Sequence, residues 1–146
     1  MDILDIMYKN SPIQKKWKPK CGDICSEGIV ISYSSAHSYE CYNFEATVDV
    51  QCTTGLSTKE FKIKDVFWKP KQEDLQNIYD KFIKYKKPYT PNKVFIKLLT
   101  DEYFSNKKYY DSISVQLRMD IAWCLFIHIE VYGLIWNWNN SEWVKV

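Results

Sequence analysis

Residues 121–144 read IAWCLFIHIEVYGLIWNWNNSEWV, and this stretch decides the fold. Ile121–Ile127 is apolar on almost every helical face, so it belongs at the centre of a domain and not on a surface stripe. Gly133 suits the left-handed terminator of a helix running from about Ser112 to Tyr132. Beyond it, Leu134–Trp138 and Glu142–Val144 are aromatic, β-prone runs separated by Asn139-Asn140-Ser141. They predict a β-hairpin whose Asn-Asn pair tolerates positive φ at the turn. Trp136 and Trp138, two residues apart, are expected on one face.

Upstream of this closing unit the periodicity is helical. Pro70 precedes Gln72-Glu73-Asp74, an acidic first turn that suits the positive end of a helix dipole. Leu75, Ile78, Tyr79, Phe82 and Ile83 follow as a core-facing stripe, and Lys84–Pro88 ends the helix. Thr90-Pro91 is a capping pair for a second helix, with Val94, Phe95, Leu98, Leu99 and Tyr103 pointing inward. Asn106–Asp111 reads as a polar loop. Earlier still the period is two: Ile29–Tyr33, then Tyr42–Val50 with Tyr42, Phe44, Ala46, Val48 and Val50 on one face, then Phe61–Lys64, followed by Val66-Phe67-Trp68. Ser34–Glu40 and Cys52–Ser57 read as the connections of a small antiparallel sheet.

The fold class is therefore α+β: an N-terminal antiparallel sheet on about three helices, closed by a C-terminal hairpin. No repeat or low-complexity linker interrupts the chain, so one domain over residues 1–146 is expected. Within it, residues 1–20 read as an irregular basic arm carrying Trp17, 28–68 as β-rich, 72–132 as helical and 134–145 as the hairpin. The chain's 146 residues, with 46% hydrophobic and 16% aromatic content, suffice for a real core and are too apolar for a disordered chain. The net charge of +2 supplies no global field toward nucleic acid or anionic lipid. Arg118 is the one arginine, which argues against a sequence-specific DNA reader. No apolar run reaches the roughly 20 residues of a membrane span, so no membrane role is expected. Met1–Ile6 lacks the pattern of an export signal and the five cysteines are odd in number, so reduced thiols in a cytoplasm are expected.

Few constellations suggest chemistry. Cys21-x3-Cys25 and His37-x3-Cys41 could hold Zn²⁺ through three thiolates and an imidazole, although structural zinc pairs usually show two-residue spacing. The plainer reading is unconnected small thiols, with no cofactor. Cys124 and His128 share a helical face and could pair as nucleophile and base, but their apolar neighbours favour a histidine at the core margin. The carboxylates are scattered, and the four glycines form no phosphate-binding loop. No enzyme is expected. Lys59, Lys62, Lys64 and Lys69, with Tyr109 and Tyr110, are the candidate binding residues, because lysines with exposed aromatics can track a backbone and stack bases.

Val66-Phe67-Trp68-Lys69-Pro70-Lys71-Gln72-Glu73-Asp74-Leu75 resembles the W-x-P-x-Q-x-x-L segment of small uncharacterised proteins of Firmicutes phages and prophages. Trp123, Tyr132, Trp136-Asn137 and Trp143-Val144 match the order of aromatic motifs in that family, although the turn Trp138–Glu142 is longer. The resemblance covers roughly Val66 to Val144. It implies a phage accessory protein in a bacterial host cell that binds a host or phage protein, with anti-defence inhibitors of the anti-CRISPR kind as one subclass. The alternatives are a non-specific nucleic-acid-binding protein and a small zinc-stabilised binding module.

Overall fold

The computed structural model describes residues 2–34, 46–53, 55, 57–83 and 100–146. Its elements are α1 (Ile3–Lys9), a 3-10 turn (Pro12–Lys16), β1 (Ile24–Cys25), β2 (Gly28–Ser34), β3 (Thr47–Cys52), β4 (Thr58–Lys62), a second 3-10 turn (Ile63–Asp65) and α2 (Gln72–Ile83). Helical residues 100–105, here α3, then precede α4 (Lys107–Asp111), α5 (Val115–Tyr132), β5 (Leu134–Asn137) and β6 (Glu142–Lys145). The architecture is α+β, as the periodicities predict. Contacts group the chain into two compact units: one holds Tyr8–Lys71, the other Asp2–Met7 with Gln72–Val146.

The first unit is a four-stranded antiparallel sheet in the order β1-β2-β3-β4. Cross-strand partners share a face. Val30 opposes Val50, and Val48 opposes Phe61; Val30, Val48 and Val50 are fully buried. Ile29 opposes both Ile24 and Gln51, and Asp49 opposes Glu60, so these form the other face. An irregularity between Val30 and Ser32 lets Ile31 and Ser32 both stand exposed. Gly28 is obligatory for the β2–β3 pairing: its φ is +151° and a Cβ there would lie 2.1 Å from the Gln51 carbonyl oxygen.

Several sequence expectations need correction here. Residues 1–20 are not an irregular arm, since α1 and the first 3-10 turn order most of them. Ser11 caps that turn by accepting from the Ile13 amide at 3.0 Å, and Pro12 fits its first position. β4 ends at Lys62, because Ile63–Asp65 close into the second 3-10 turn. Lys64 is therefore not a strand residue. Tyr42–Glu45, His37 and Cys41, together with residues 90–99 of the expected second helix, lie outside the described residues.

In the second unit, α2 and α5 pack together, with Tyr79 against Phe126 at 5.0 Å between ring centroids. α5 begins at Val115 and not at Ser112; the Ser114 hydroxyl caps it, accepting from the Leu117 amide at 3.2 Å. Gly133 ends it in the left-handed conformation, φ 64°. Asn106–Asp111 is not a loop, since Lys107–Asp111 is a helical turn. An ion pair of 2.7 Å between Lys107 and Asp111, at i,i+4, ties that turn. The hairpin β5–β6 pairs Trp136 with Trp143. Its turn is not made by positive φ at Asn139 or Asn140. Instead the Asn137 side chain accepts from both their amides at 3.0 and 3.2 Å, and Ser141 takes φ 53°. No helix among the described residues is long and apolar enough to cross a membrane.

Candidate functional site

The first unit carries a basic cleft that begins at Gln14. This side chain acts as a clamp: its Nε2 donates to the carbonyls of Tyr8 and Trp68, both at 2.9 Å, and its Oε1 accepts from the Trp68 amide at 2.7 Å. Those bonds fix the 3-10 turn against the segment around Trp68, which itself bridges to Cys25. Trp17 follows the turn and stacks parallel to Trp68, with centroids 6.3 Å apart and planes within 5°. The Trp17 indole donates to Asp23 Oδ2 at 3.0 Å, and the Lys20 amide donates to the same oxygen at 3.0 Å. Asp23 is buried, and these two donors satisfy its Oδ2.

The cleft lies between this N-terminal segment and the second 3-10 turn, with a volume of about 360 Å³. Trp17 and Phe67 contribute aromatic wall, and Lys9, Lys15, Lys64 and Asp65 contribute charge. Phe67 is held in place by reciprocal bonds with Ser26, amide to hydroxyl at 3.2 Å and carbonyl from amide at 2.9 Å. Three lysines against one aspartate leave the cleft positive, although the chain as a whole is nearly neutral.

A second surface in the same unit is apolar. Ile24, Ile29 and Ile31 are 38%, 49% and 41% exposed on adjacent strands β1 and β2, a clustering beyond the scattered single apolar residues of an ordinary surface. Polar neighbours on that face are Asp49, which accepts from the Ser32 hydroxyl at 2.7 Å, and Glu60 opposite it.

Of the residues singled out from sequence, the lysines belong to the first unit and the tyrosines to the second. Lys64 lines the cleft. Lys59 and Lys62 are exposed on β4 but oppose Val50 and Thr47 respectively, so they leave the strand on different faces. Lys69 is half-buried, and its amide donates to the Ile24 carbonyl at 2.8 Å. Tyr109 and Tyr110 belong to the second unit and pack on Trp138, at 5.5 and 6.2 Å. Tyr110 is buried, and burial pushes its hydroxyl far above the usual tyrosine range, so it titrates as a core residue. Lys9 and Lys15 are the cleft residues that sequence reasoning left out. Their signal was the density of lysine around Trp17, which an extended arm would have dispersed.

Of the zinc candidates, Cys21 is exposed and Cys25 buried, while His37 and Cys41 lie outside the described residues. Among the described residues no cluster of three or more His, Cys, Asp or Glu is placed to hold a metal. Cys124 and His128 do come together, but as structure. His128 Nδ1 donates to the Cys124 carbonyl at 2.6 Å and lies 3.8 Å from the Cys124 sulfur. Its proton is thus committed to the backbone, and Nδ1 has no lone pair with which to take one from the thiol. The ring stacks on Trp143 at 3.8 Å, and the Trp143 indole donates to the Met7 carbonyl at 2.9 Å. Burial lowers the His128 pKa to about 4, partly opposed by the bond to Cys124.

Comparison of the chain with protein-family models, with curated proteins and with solved structures finds no match.

Proposed function

We propose that this chain is a non-enzymatic phage or prophage accessory protein that acts by binding a host or phage protein, with inhibitors of host defence as one subclass of that role. The observation that carries the reading is the surface of the first unit, where a lysine-rimmed aromatic cleft accompanies an exposed isoleucine cluster. Aliphatic side chains have no π-face on which a nucleobase can stack, and Asp49 and Glu60 on the isoleucine face repel phosphate. A protein partner with an apolar patch and acidic side chains complements both features, and cytoplasmic action in the bacterial host follows from such a role. The test is affinity capture from a host lysate with the natural chain beside two surface variants. One carries Ile24→Thr, Ile29→Thr and Ile31→Thr, which keeps β-branched residues on the strands; the other carries Lys9→Glu, Lys15→Glu and Lys64→Glu. One stoichiometric protein retained by the natural chain and lost from both folded variants is expected. Equal retention by all three refutes the reading.

The cleft by itself favours a second reading, non-specific binding of single-stranded nucleic acid. That reading requires retention on single-stranded DNA at low salt, a steep fall with added salt, and loss in the lysine variant but not in the isoleucine one.

A further inference from the structure

The second unit contains a cavity that the binding surface above does not use. It has a volume of about 220 Å³ and is walled by carbon from Tyr103, Tyr110, Val115, Met119, Ala122 and Leu125, with Glu102 and Arg118 completing its lining. We propose that this cavity binds a small, neutral, single-ring aromatic molecule bearing one hydrogen-bond acceptor. An apolar cavity of about 150 Å³ already accommodates benzene, so this one has room for a ring with a short substituent. Tyrosine rings and a methionine thioether are favourable neighbours for a ring, through edge and sulfur–aromatic contacts. Val115, 71% exposed, leaves a way in at the start of α5.

The carbon walls select against charge of either sign, because a charged ring would give up its hydration for apolar surface. Glu102 is held by the Trp138 indole at 3.1 Å and the Asn106 side-chain amide at 3.3 Å, both on Oε2, so its carboxylate is already engaged by donors of this chain. The Arg118 guanidinium would repel a cation. Arg118 Nε is also buried without a hydrogen-bond partner among the described residues. A buried donor left unmade is costly, and an acceptor on the ligand gives it one. The flexible stem of Arg118 lets Nε turn toward that acceptor.

The test uses the full chain with ¹³C-labelled methionine methyls, three in number, of which Met119 lines the cavity and Met7 does not. Acetophenone is the probe; ethylbenzene lacks the acceptor, benzoate is anionic and benzylamine cationic. Acetophenone should shift the Met119 methyl saturably while Met7 stays put. It should bind about 5-fold tighter than ethylbenzene, the value of one net hydrogen bond, and tighter than both charged rings. Ala122→Leu should weaken acetophenone at least about 10-fold by filling the cavity. Arg118→Met leaves the wall apolar and should abolish the advantage over ethylbenzene while both rings still bind, so it decides the matter even if Ala122→Leu disturbs folding. No saturable Met119 shift, equal binding of acetophenone and ethylbenzene, or preference for a charged ring overturns the proposal.

Discussion

Replacing Gln14 by Met keeps an unbranched side chain of similar length and removes three hydrogen bonds, two donated to the Tyr8 and Trp68 carbonyls and one accepted from the Trp68 amide. At about 1 kcal/mol net for each bond the loss is about 3 kcal/mol, with the orphaned amide of the buried Trp68 able to add more. The orientation of the amide is not arbitrary, because two carbonyls need a donor where one N–H needs an acceptor. Gln14→Glu separates these roles. It retains the acceptor for Trp68 N–H but sets carboxylate against two carbonyl oxygens, so it should destabilise at least as much as Met at pH 7. Below the pKa of the introduced carboxyl, protonation restores one donor and part of the loss should be recovered. Urea unfolding followed by tryptophan fluorescence measures the free energies, with an unchanged slope expected for Gln14→Met. Hydrogen exchange at the Trp68 amide should accelerate on the order of 100-fold, the equivalent of about 3 kcal/mol. A loss below about 1 kcal/mol with Trp68 still protected would mean that the clamp does not hold the cleft, and the account of how Lys15 and Trp17 are positioned would fail with it.

Three further outcomes are expected. His128 has its pKa lowered to about 4 from an ordinary 6.5, so the unfolded chain binds its proton first as pH falls. The stability this gives is complete above about pH 6.5 and drains away between about 6.5 and 4, to a total of about 3 kcal/mol. Urea midpoints across that range should show the slope, and His128→Gln should flatten it; a slope unchanged in the variant would place its origin elsewhere. Gly28→Ala meets both a forbidden φ and the Gln51 carbonyl, so a loss of about 3 kcal/mol or failure to fold is expected, read by circular dichroism. A fully stable Gly28→Ala protein would contradict the β2–β3 register. Glu102 already titrates above the ordinary glutamate range because burial outweighs the bonds from Trp138 and Asn106. Trp138→Phe removes one of those bonds and should raise it further, as ¹³C NMR of the carboxyl would show.

The sequence carried the closing unit well because its signals were local and redundant. The apolar run at Ile121–Ile127, the Gly133 terminator and the aromatic hairpin agree with one another, and each survives without knowledge of what lies across the space between elements. The turn chemistry was read one residue wrong for an equally physical cause. Asn137 satisfies the turn amides through its side chain, and an Asn-Asn pair two residues further on draws the turn reading to itself and away from Asn137. The cleft was illegible for a different reason. Lys9 and Lys15 meet Lys64 only because Gln14 clamps to Trp68, a contact across 54 residues. No periodicity within either segment encodes that distance, and the Lys-rich composition of residues 9–20 was as compatible with a solvated arm. The same holds for the cavity, whose walls combine Tyr103 with α5 residues 12 or more positions away. A helix stripe predicts that Ala122 and Leu125 face inward, but not that the space before them stays open. Local rules therefore recover elements and their caps, while both candidate binding features arise from side chains brought together by tertiary packing, where a single glutamine or alanine decides whether a site exists.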